Sequence, residues 1–413
     1  MLRVAGGQAG GGDCQEPEGS WGMGGEWNIT TVGDFAPFSY GKGLPEDRRR
    51  PGSVPVYGSN GIVGFHCEPL IAGPAVIVGR KGSVGAVHYC QEPCWPIDTT
   101  FYVVGDDAAR LRFKYYLLKS LGLEHMNADS AVPGLNRDAA QARVIKVPPL
   151  PEQRAIAHIL GTLDDKIELN RKQNETLEAM ARALFKAWFV DFEPVRAKIE
   201  GRWQRGQSLP GLPAHLYDLF PNRLVESELG EIPEGWSQTT VGDCFKLTMG
   251  QSPPGDTYND YGDGLPFFQG RTDFGFRYPE NRKYCSAPTR VANIEDTLVS
   301  VRAPVGDINL AWEKCCIGRG VAAIRHASGA RSFTYHAVWS KQEELKQFEH
   351  TGTVFGAINK KQFETLKFVE PSRDLIRAYE DIAGALDDEV RNNIEESRTL
   401  AQLRDTLLPK LIS

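Results

Sequence analysis

Residues 163–174 read Leu-Asp-Asp-Lys-Ile-Glu-Leu-Asn-Arg-Lys-Gln-Asn, and residues 386–397 read Leu-Asp-Asp-Glu-Val-Arg-Asn-Asn-Ile-Glu-Glu-Ser. Both lie in longer stretches whose apolar positions recur at steps of four and three residues, which is the spacing of a helix that packs along a seam. Adding 223 to the first seam, 156–188, gives the second, 379–411. The sequence therefore predicts two long, equivalent helices.

The two seams become polar at the same step. Asn170 and Asn174 interrupt the first, and Asn393 and Ser397 interrupt the second. A polar residue in such a seam weakens the packing but fixes its register, because a shifted pairing leaves the amide without a partner. One such helix could equally pack on its own domain, but two matching helices favour mutual pairing. The residues predicted to pair are Leu160, Leu163, Ile167, Asn170, Asn174, Leu177, Leu386, Val390, Asn393 and Leu400.

The repeat extends into the rest of the chain. Residues 27–34 match residues 236–243, and residues 76–85 match 297–306. Short β-branched runs bounded by Gly and Pro, such as 75–78 and 100–104, predict strands, and helical stretches intervene. The fold class is therefore α+β, in which two mixed α/β domains alternate with two long helices as an internal repeat.

Changes in composition suggest domain boundaries. Residues 1–26 are Gly-rich and predict a flexible tail, within which Met23 is an alternative start. The remaining segments are the first globular domain 27–150, the first long helix 151–195, a Pro/Gly-rich connector 196–235, the second globular domain 236–370 and the second long helix 371–413.

Composition places few limits on function. The net charge is −6, but the excess acid lies in the helices and tails, and the two globular domains are near neutral. A local basic face is thus possible.

We find no apolar run long enough to span a membrane, which predicts a cytoplasmic protein. The eight cysteines include Cys90 and Cys94, but no second ligand pair with zinc spacing follows. Free thiols in a reducing compartment are therefore favoured over a metal site.

Catalytic signatures are missing from the sequence. We find no phosphate-binding GxxxxGK[ST] loop, no GxSxG or HExxH motif and no methyltransferase Asn/Asp-Pro-Pro-Tyr/Phe motif. The adjacent carboxylates Asp164-Asp165 and Asp387-Asp388 point to different faces of a helix. We interpret them as surface charges or partner contacts, and we predict a binding protein without catalytic or metal-ligating residues.

Three motifs carry a resemblance to a known family. They are residues 147–156 (Val-Pro-Pro-Leu-Pro-Glu-Gln-Arg-Ala-Ile), residues 163–170 and residues 225–236 (Val-Glu-Ser-Glu-Leu-Gly-Glu-Ile-Pro-Glu-Gly-Trp). Together they closely resemble the specificity (S) subunit of type I restriction–modification systems over residues 27–413. Residues 56–64 and 131–136 look like loops of that family's target recognition domains. The second copy departs from the pattern, because Glu370-Pro371-Ser372-Arg373 replaces the proline-rich start of the first helix.

The resemblance implies a function. In that family two target recognition domains read the halves of a split DNA sequence, and two antiparallel helices separate them as a coiled-coil spacer, which gives a pseudo-two-fold repeat. It implies double-stranded DNA, two methyltransferase subunits and motor–nuclease subunits as partners, without a membrane. S-adenosylmethionine, ATP and Mg²⁺ would be bound by the partner subunits and no cofactor by this chain.

Loop residues with amide, hydroxyl or cationic side chains are the candidates for DNA contact. For each of them, ordinary surface polarity or a loop-stabilising hydrogen bond is as good an interpretation. The candidates are Tyr57, Ser59, Asn60, Arg80, Lys81 and Ser83 in the first domain, and Gln269, Arg271, Thr272, Arg277 and Arg302 in the second.

Two further hypotheses stay open from the sequence. One is a self-contained modification enzyme with an unrecognised active site. The other is a coiled-coil scaffold that binds only proteins, which salt-dependent DNA binding would exclude.

Overall fold

The structure is a computed structural model that describes residues 26–105, 107–126, 134–349 and 356–412. The predicted tail lies outside these residues except for Glu26, and so do residues 131–133 of one predicted loop. The contacts between residues divide the chain into two units. Unit 1 contains the chain up to Ile167 and from Arg398 onwards, and unit 2 is Glu168–Ser397. Each long helix thus contributes to both units.

The described residues of unit 1 form nine strands and three short α-helices besides parts of the long ones. The strands are β1 (Asn28–Thr31), β2 (Ser39–Tyr40), β3 (Val54–Gly58), β4 (Gly61–His66), β5 (Ala75–Gly79), β6 (Val87–Cys90), β7 (Trp95–Pro96), β8 (Thr100–Val103) and β9 (Val144–Val147). The helices are α1 (Val32–Phe35), α2 (Ala108–Ser120), α3 (Arg137–Gln141) and the long helix α4 (Leu150–Phe189).

Three sheets form unit 1. Their strand orders are β2-β8-β5-β6, β4-β3-β7 and β1-β9. All five residues of β5 are buried, as expected of its apolar sequence Ala-Val-Ile-Val-Gly. Strands β3 and β7 are parallel, whereas the other pairs are antiparallel. The loops that follow β3 and β5 carry all the DNA-contact candidates of this unit except Tyr57, which lies in β3.

Unit 2 contains the remaining elements. The helices are α5 (Glu193–Ile199), α6 (Val241–Cys244), α7 (Arg331–Ser340), α8 (Gln342–Lys346), α9 (Lys360–Glu364) and the long helix α10 (Arg373–Ile412). The strands are β10 (Leu224–Ser227), β11 (Gly230–Pro233), β12 (Ser237–Thr240), β13 (Phe245–Met249), β14 (Tyr258–Asn259), β15 (Leu265–Phe268), β16 (Tyr284–Cys285), β17 (Val291–Ala292), β18 (Thr297–Ser300), β19 (Ile308–Leu310), β20 (Cys315–Ile317), β21 (Val321–His326) and β22 (Lys367–Glu370).

The sheets of unit 2 repeat those of unit 1. The order β13-β21-β18-β19 matches β2-β8-β5-β6, and β12-β22 matches β1-β9. The third sheet, β14-β16-β15-β20-β17, contains the equivalent of β4-β3-β7 with a further strand at each edge. Strands β15 and β20 are parallel, as β3 and β7 are. The predicted fold class, two mixed domains within an internal repeat, is confirmed.

The segment predicted as a connector, 196–235, is a folded part of unit 2. Trp203, Leu212, Leu216 and Phe220 are buried in the same apolar core as α7 and α10. Strands β10 and β11 form a hairpin in it. Its proline and glycine residues mark turns, but its aromatic and aliphatic side chains make it part of the core.

Both long helices have 40 residues. Pro151 occupies the first turn of α4, where a missing N–H group has no helical partner to lose. Helix α10 starts differently: the Ser372 hydroxyl accepts a hydrogen bond from the backbone N–H of Leu375 at 3.3 Å, as a helix cap does. Ser372 thus replaces the proline-rich start of the first copy.

Within unit 2 the two helices pair antiparallel through their polar step. The Asn170 amide donates to the Asn393 carbonyl at 3.3 Å and to the Ser397 hydroxyl at 3.2 Å. Asn393 in turn donates to the side-chain oxygen of Asn174 at 3.0 Å. Further along α4, the Ala181 carbonyl accepts a hydrogen bond from the hydroxyl of Tyr379. The three asparagines are buried, so their amides fix the register.

Within unit 1 the two helices share an apolar cluster near the start of α4 and the end of α10. Ile156 and Leu160 of α4 lie in one buried cluster with Leu408 and Ile412 of α10. The predicted pairing residues that are not buried, namely Leu163, Ile167, Leu177, Leu386 and Leu400, are half-buried.

The second aspartate of each Asp-Asp pair, Asp165 or Asp388, connects a long helix to a short helix of its globular domain. In unit 1, Arg112 of α2 donates to Asp165 at 2.7 Å and to the Gly161 carbonyl at 3.1 Å. In unit 2, Arg331 of α7 donates to Asp388 and to the Gly384 carbonyl. Asp165 and Asp388 are exposed, as their interpretation as surface charges predicts, and each also binds an arginine of its own chain.

The first aspartates of the two pairs, Asp164 and Asp387, bind different partners in the two units. In unit 1, Asp164 accepts from Arg404 of α10 at 2.7 Å and from the Tyr116 hydroxyl at 2.6 Å. In unit 2, Arg277 donates to Asp387 of α10 at 2.5 Å and to Glu178 of α4. The interpretation as a surface charge is wrong for Asp387, which is buried, whereas Asp164 is half-buried.

Arg277, Glu178 and Asp387 form a buried ion cluster. The guanidinium lies 3.5 Å from the centroid of the Tyr335 ring, and Arg277 is 1% exposed. Burial opposes the charge on Arg277, but Tyr335, Asp387 and Glu178 outweigh it and raise the pKa of Arg277. The prediction that Arg277 contacts DNA is wrong, because its cation is enclosed between the two helices and α7.

Among the described residues, no helix is long and apolar enough to cross a membrane. Seven cysteines are described, all as free thiols; five are buried, Cys244 is half-buried and Cys67 is exposed.

The described part of the chain holds one group of three possible metal ligands, Glu178, His336 and Asp387. Both carboxylates of this group, those of Glu178 and Asp387, already bind Arg277.

Replacing Arg277 by methionine should destabilise the protein by about 3–5 kcal/mol, because two buried carboxylates lose their cation. Chemical denaturation of the full chain measures this change. Arg282→Met is the matched control, since Arg282 forms an exposed pair with Glu280 and should contribute at most about 1 kcal/mol.

A triple variant, Arg277→Met with Glu178→Leu and Asp387→Leu, should recover most of the lost stability, because it removes the uncompensated charges. If Arg277→Met alone were as stable as the wild type, the ion cluster would not hold unit 2 together.

Candidate nucleic-acid interface

The candidates of unit 1 lie on one surface, built by residues 57–60 at the end of β3 and residues 80–83 after β5. We call it the first loop surface. The Ser59 hydroxyl donates to the Thr99 carbonyl at 2.6 Å, and the Ser83 hydroxyl donates to the side-chain oxygen of Asn60 at 3.5 Å. A Cβ atom on Gly79 would lie 2.1 Å from the Ser83 carbonyl oxygen. The two loops are thus packed tightly against each other.

Backbone hydrogen bonds fix the loop after β5. The Arg80 N–H donates to the Thr99 carbonyl, and the Arg80 carbonyl accepts from Leu135, both at 2.9 Å. Lys81 forms a β-bridge with Gly134. The Lys81 side chain is exposed, and among the described residues it has no ion pair.

Unit 2 reproduces this arrangement. The Val301 N–H donates to the Gly320 carbonyl at 2.9 Å, and the Val301 carbonyl accepts from Ile358 at 3.0 Å. Arg302 forms a β-bridge with Ala357, as Lys81 does with Gly134. Arg302 is exposed too and has no ion pair with any described residue. Lys81 and Arg302 therefore occupy equivalent positions.

Residues 269–272, which follow β15, form the second loop surface with Arg302. The Asp273 carboxylate accepts from the Gln269 N–H at 2.6 Å, which closes this loop. Arg271 donates to Asp307 at 2.7 Å, and the Thr272 carbonyl accepts from Arg282. The side chains of Gln269, Arg271 and Thr272 are exposed. The loop matches 58–60, because β15 and β3 hold the same place in their sheets.

Two candidates do not fit a contact with DNA. Arg277 is enclosed in the ion cluster. Ser59 is buried, and its hydroxyl is bound to Thr99, so it positions the loop. Tyr57 is half-buried at the end of β3. The remaining nine, exposed or half-buried, stay candidates: Tyr57, Asn60, Arg80, Lys81 and Ser83 in unit 1, and Gln269, Arg271, Thr272 and Arg302 in unit 2.

Two residues next to the first loop surface, Arg137 and Tyr40, were not among the candidates. Arg137 lies in α3, whose first N–H groups are capped by Asn136, and its guanidinium lies 5.2 Å from the ring centroid of Tyr40. The repeat contains a signal for Arg137, because Asn359 caps α9 in the same way and Lys360 follows it. Tyr40 has no such signal, since its equivalent is Met249.

These side chains suit contact with a nucleic acid. Cations on rigid loops bind phosphate oxygens, and exposed amides such as Gln269 and Asn60 can donate to and accept from base edges. Two of the arginines, Arg271 and Arg282, already form ion pairs with Asp307 and Glu280, which partly neutralise their charge. Each unit thus offers one polar loop surface with an unpaired cation at a shared position.

Comparison with known proteins agrees with this repeat. A family model described as the type I restriction modification DNA specificity domain matches residues 24–179 and 233–400. The two matches cover most of the chain, and each contains one globular part and most of the long helix that follows it.

Two curated relatives belong to the same family. The chain is 33% identical over 282 residues to a putative type I restriction enzyme MjaX specificity subunit of Methanocaldococcus jannaschii, a match that covers 68% of this chain and 60% of the relative. It is 27% identical over 332 residues to the type I restriction enzyme HindI specificity subunit of Haemophilus influenzae, covering 68% of this chain and 71% of that one.

The fold is shared with a solved structure. The crystal structure of the type I restriction–modification system S subunit from M. genitalium has a TM-score of 0.56 at 17% identity, covering 94% of this chain and 96% of that chain. At this identity the similarity shows the fold.

Gly79→Ala should disturb the first loop surface, because the new Cβ would meet a backbone oxygen that cannot move alone. We expect a destabilisation of about 1–3 kcal/mol, typical of overpacking, measured by thermal or chemical unfolding. Gly105→Ala is the control, since a Cβ on Gly105 meets nothing within 4 Å. Equal stability of both variants would contradict the tight packing of residues 79–83.

Proposed function

Since the chain belongs to the type I restriction modification DNA specificity family, we propose that it is the DNA-reading subunit of a type I restriction–modification complex. Each globular domain reads one half of a split target, and other subunits methylate adenine and cleave DNA. The chain itself binds and does not catalyse.

The shared position of Lys81 and Arg302 is the observation that carries this proposal. Each is an exposed cation beside the same backbone bridge, suited to a phosphate. Around them the two loop surfaces differ: Asn60 and Ser83 stand in unit 1, and Gln269 and Thr272 stand in unit 2. Two half-sites of different sequence have the same phosphate backbone but different bases. They therefore require a cation at a shared position and different side chains around it.

The long helices supply the spacing in this proposal. Each has 40 residues and is therefore about 60 Å long at 1.5 Å per residue. Half-sites read from one face of a duplex lie about 34–36 Å apart or at a multiple of that distance. A wrong gap engages one domain only and loses the effective concentration of the second.

The helices also support docking of partner subunits. Ile159, Leu169 and Met180 of α4 and Leu403 of α10 are exposed apolar side chains, of the kind that interfaces bury. We expect two methyltransferase subunits and motor–nuclease subunits as partners in the cytoplasm. S-adenosylmethionine, ATP and Mg²⁺ would bind to them.

Exchanging residues 27–150 for the same segment of another family member should change one half of the methylated motif and leave the other half unchanged. Long-read methylation mapping of cells that carry the exchanged gene measures this. Loss of this gene should abolish the bipartite motif, and its persistence after deletion would refute the proposal.

Lys81→Met and Arg302→Met should each weaken DNA binding of the chain in complex with its partner subunits. The slope of log K against log salt should become shallower by about 0.9 for each lost phosphate contact. Lys146→Met is a control, because Lys146 is an exposed lysine of β9 outside the loop surfaces. If all three variants bound DNA like the wild type, these cations would not contact phosphates.

A further inference from the structure

Tyr40 is an exposed aromatic residue whose ring is contacted by two arginines. It ends β2, the edge strand of its sheet, and is 50% exposed. The guanidinium carbon of Arg80 lies 5.1 Å from its ring centroid, and that of Arg137 lies 5.2 Å away. The ring itself packs edge-on against the buried Phe101 at 5.0 Å. We call Tyr40, Arg80 and Arg137 the arginine–tyrosine stack.

The two guanidinium groups are held in place but keep free edges. Arg80 donates one hydrogen bond to the Asp98 carbonyl at 3.1 Å and also lies 5.9 Å from the Phe101 ring. Arg137 uses its Nε on Asp138 in a solvent-exposed pair, which is a weak interaction in water. Among the described residues, the Nη groups of Arg137 have no hydrogen-bond partner. A guanidinium fixed on a ring loses little freedom when an anion binds its free edge.

Charge and position favour an anion at this point. Arg80 and Arg137 both contact the ring of Tyr40, and Lys81, which follows Arg80 in the chain, is a further exposed cation of the first loop surface. Asp98 and Asp138 are the acidic residues beside them. The cations outnumber the acids.

Unit 2 has no counterpart of the stack. The register of β2 on β8 and of β13 on β21 places Met249 where unit 1 has Tyr40. The equivalent backbone hydrogen bonds place Val301 where unit 1 has Arg80, and the helix caps place Lys360 where it has Arg137. The shared frame therefore does not require the stack.

We propose that the arginine–tyrosine stack is a phosphate-binding site that holds the DNA backbone against the first loop surface. This inference rests on the proposed function. Two guanidinium groups bound to one ring present several N–H donors to one region of space, and a phosphate accepts several such bonds at once. The tyrosine ring positions the arginines, and the arginines contact the phosphate.

The test measures binding of the full chain, in complex with its partner subunits, to a mixed-sequence duplex oligonucleotide over a range of salt concentrations. Arg80→Met and Arg137→Met should each make the salt slope shallower by about 0.9. Tyr40→Ala keeps both charges, so it should leave the slope unchanged and weaken binding about 2- to 5-fold for each guanidinium released. Tyr40→Phe keeps the ring and should bind like the wild type.

Arg110→Met is the matched control, because Arg110 is an exposed arginine of the same domain that also lies over a ring, that of Phe35 at 5.5 Å. It should leave the slope unchanged. Thermal unfolding of each variant checks that the domain stays folded.

The outcomes separate this inference from the proposed function. If the wild type binds DNA with a steep salt slope and Arg80→Met and Arg137→Met behave like Arg110→Met, the stack is not a phosphate site, although the function stands. If Tyr40→Phe binds as weakly as Tyr40→Ala, the ring does not position the arginines. If the variants relax the preference for one base and leave the slope unchanged, the arginines read a base, and the inference is wrong. If the wild-type complex shows no salt-dependent binding, the proposed function fails as well.

Discussion

An ion pair between a long helix and a short helix of the globular domain recurs in both halves of this protein and constrains how each domain sits on its helix. Arg112 binds Asp165 in unit 1, and Arg331 binds Asp388 in unit 2. Each arginine also donates to a helix carbonyl, of Gly161 or Gly384. A glycine at this point lets the guanidinium reach the helix backbone: a Cβ on Gly161 would lie 2.8 Å from the Nε atom of Arg112. The pair thus fixes each domain on its helix, which a reader at a defined position on DNA needs.

The neighbouring carboxylates show how the two halves have diverged. Asp164 is bound by an arginine from the opposite long helix, whereas Asp387 is bound by an arginine from the globular domain. Arg277 therefore joins three parts of unit 2, namely α4, α10 and the loop before β16. The same loop contains Gln269 and Arg271. Breaking the cluster would leave two buried carboxylates without a compensating charge, which costs stability.

The sequence predicted the features that repeat and missed those that depend on distant partners. The helix seams and the polar step at Asn170 and Asn393 follow from local periodicity, which one chain shows without any structure. Arg277 stands in a loop beside Gly275 and Phe276 and looks like an exposed reader. Its partners lie 99 and 110 residues away, so no local pattern reveals its burial. The proline and glycine residues of 196–235 predicted turns correctly, but its buried Trp203 and Phe220 show that turns do not make a segment a linker.

The two loop surfaces share one backbone arrangement but carry different side chains. The contacts that the two units share are hydrogen bonds between backbone groups, such as Arg80 N–H to Thr99 and Val301 N–H to Gly320. Backbone groups are the same in every residue other than proline, so these contacts persist when the side chains change. Arginine in one unit and valine in the other can therefore occupy the same place without altering the loop. The side chains are free to diverge, while the backbone position from which they extend stays fixed.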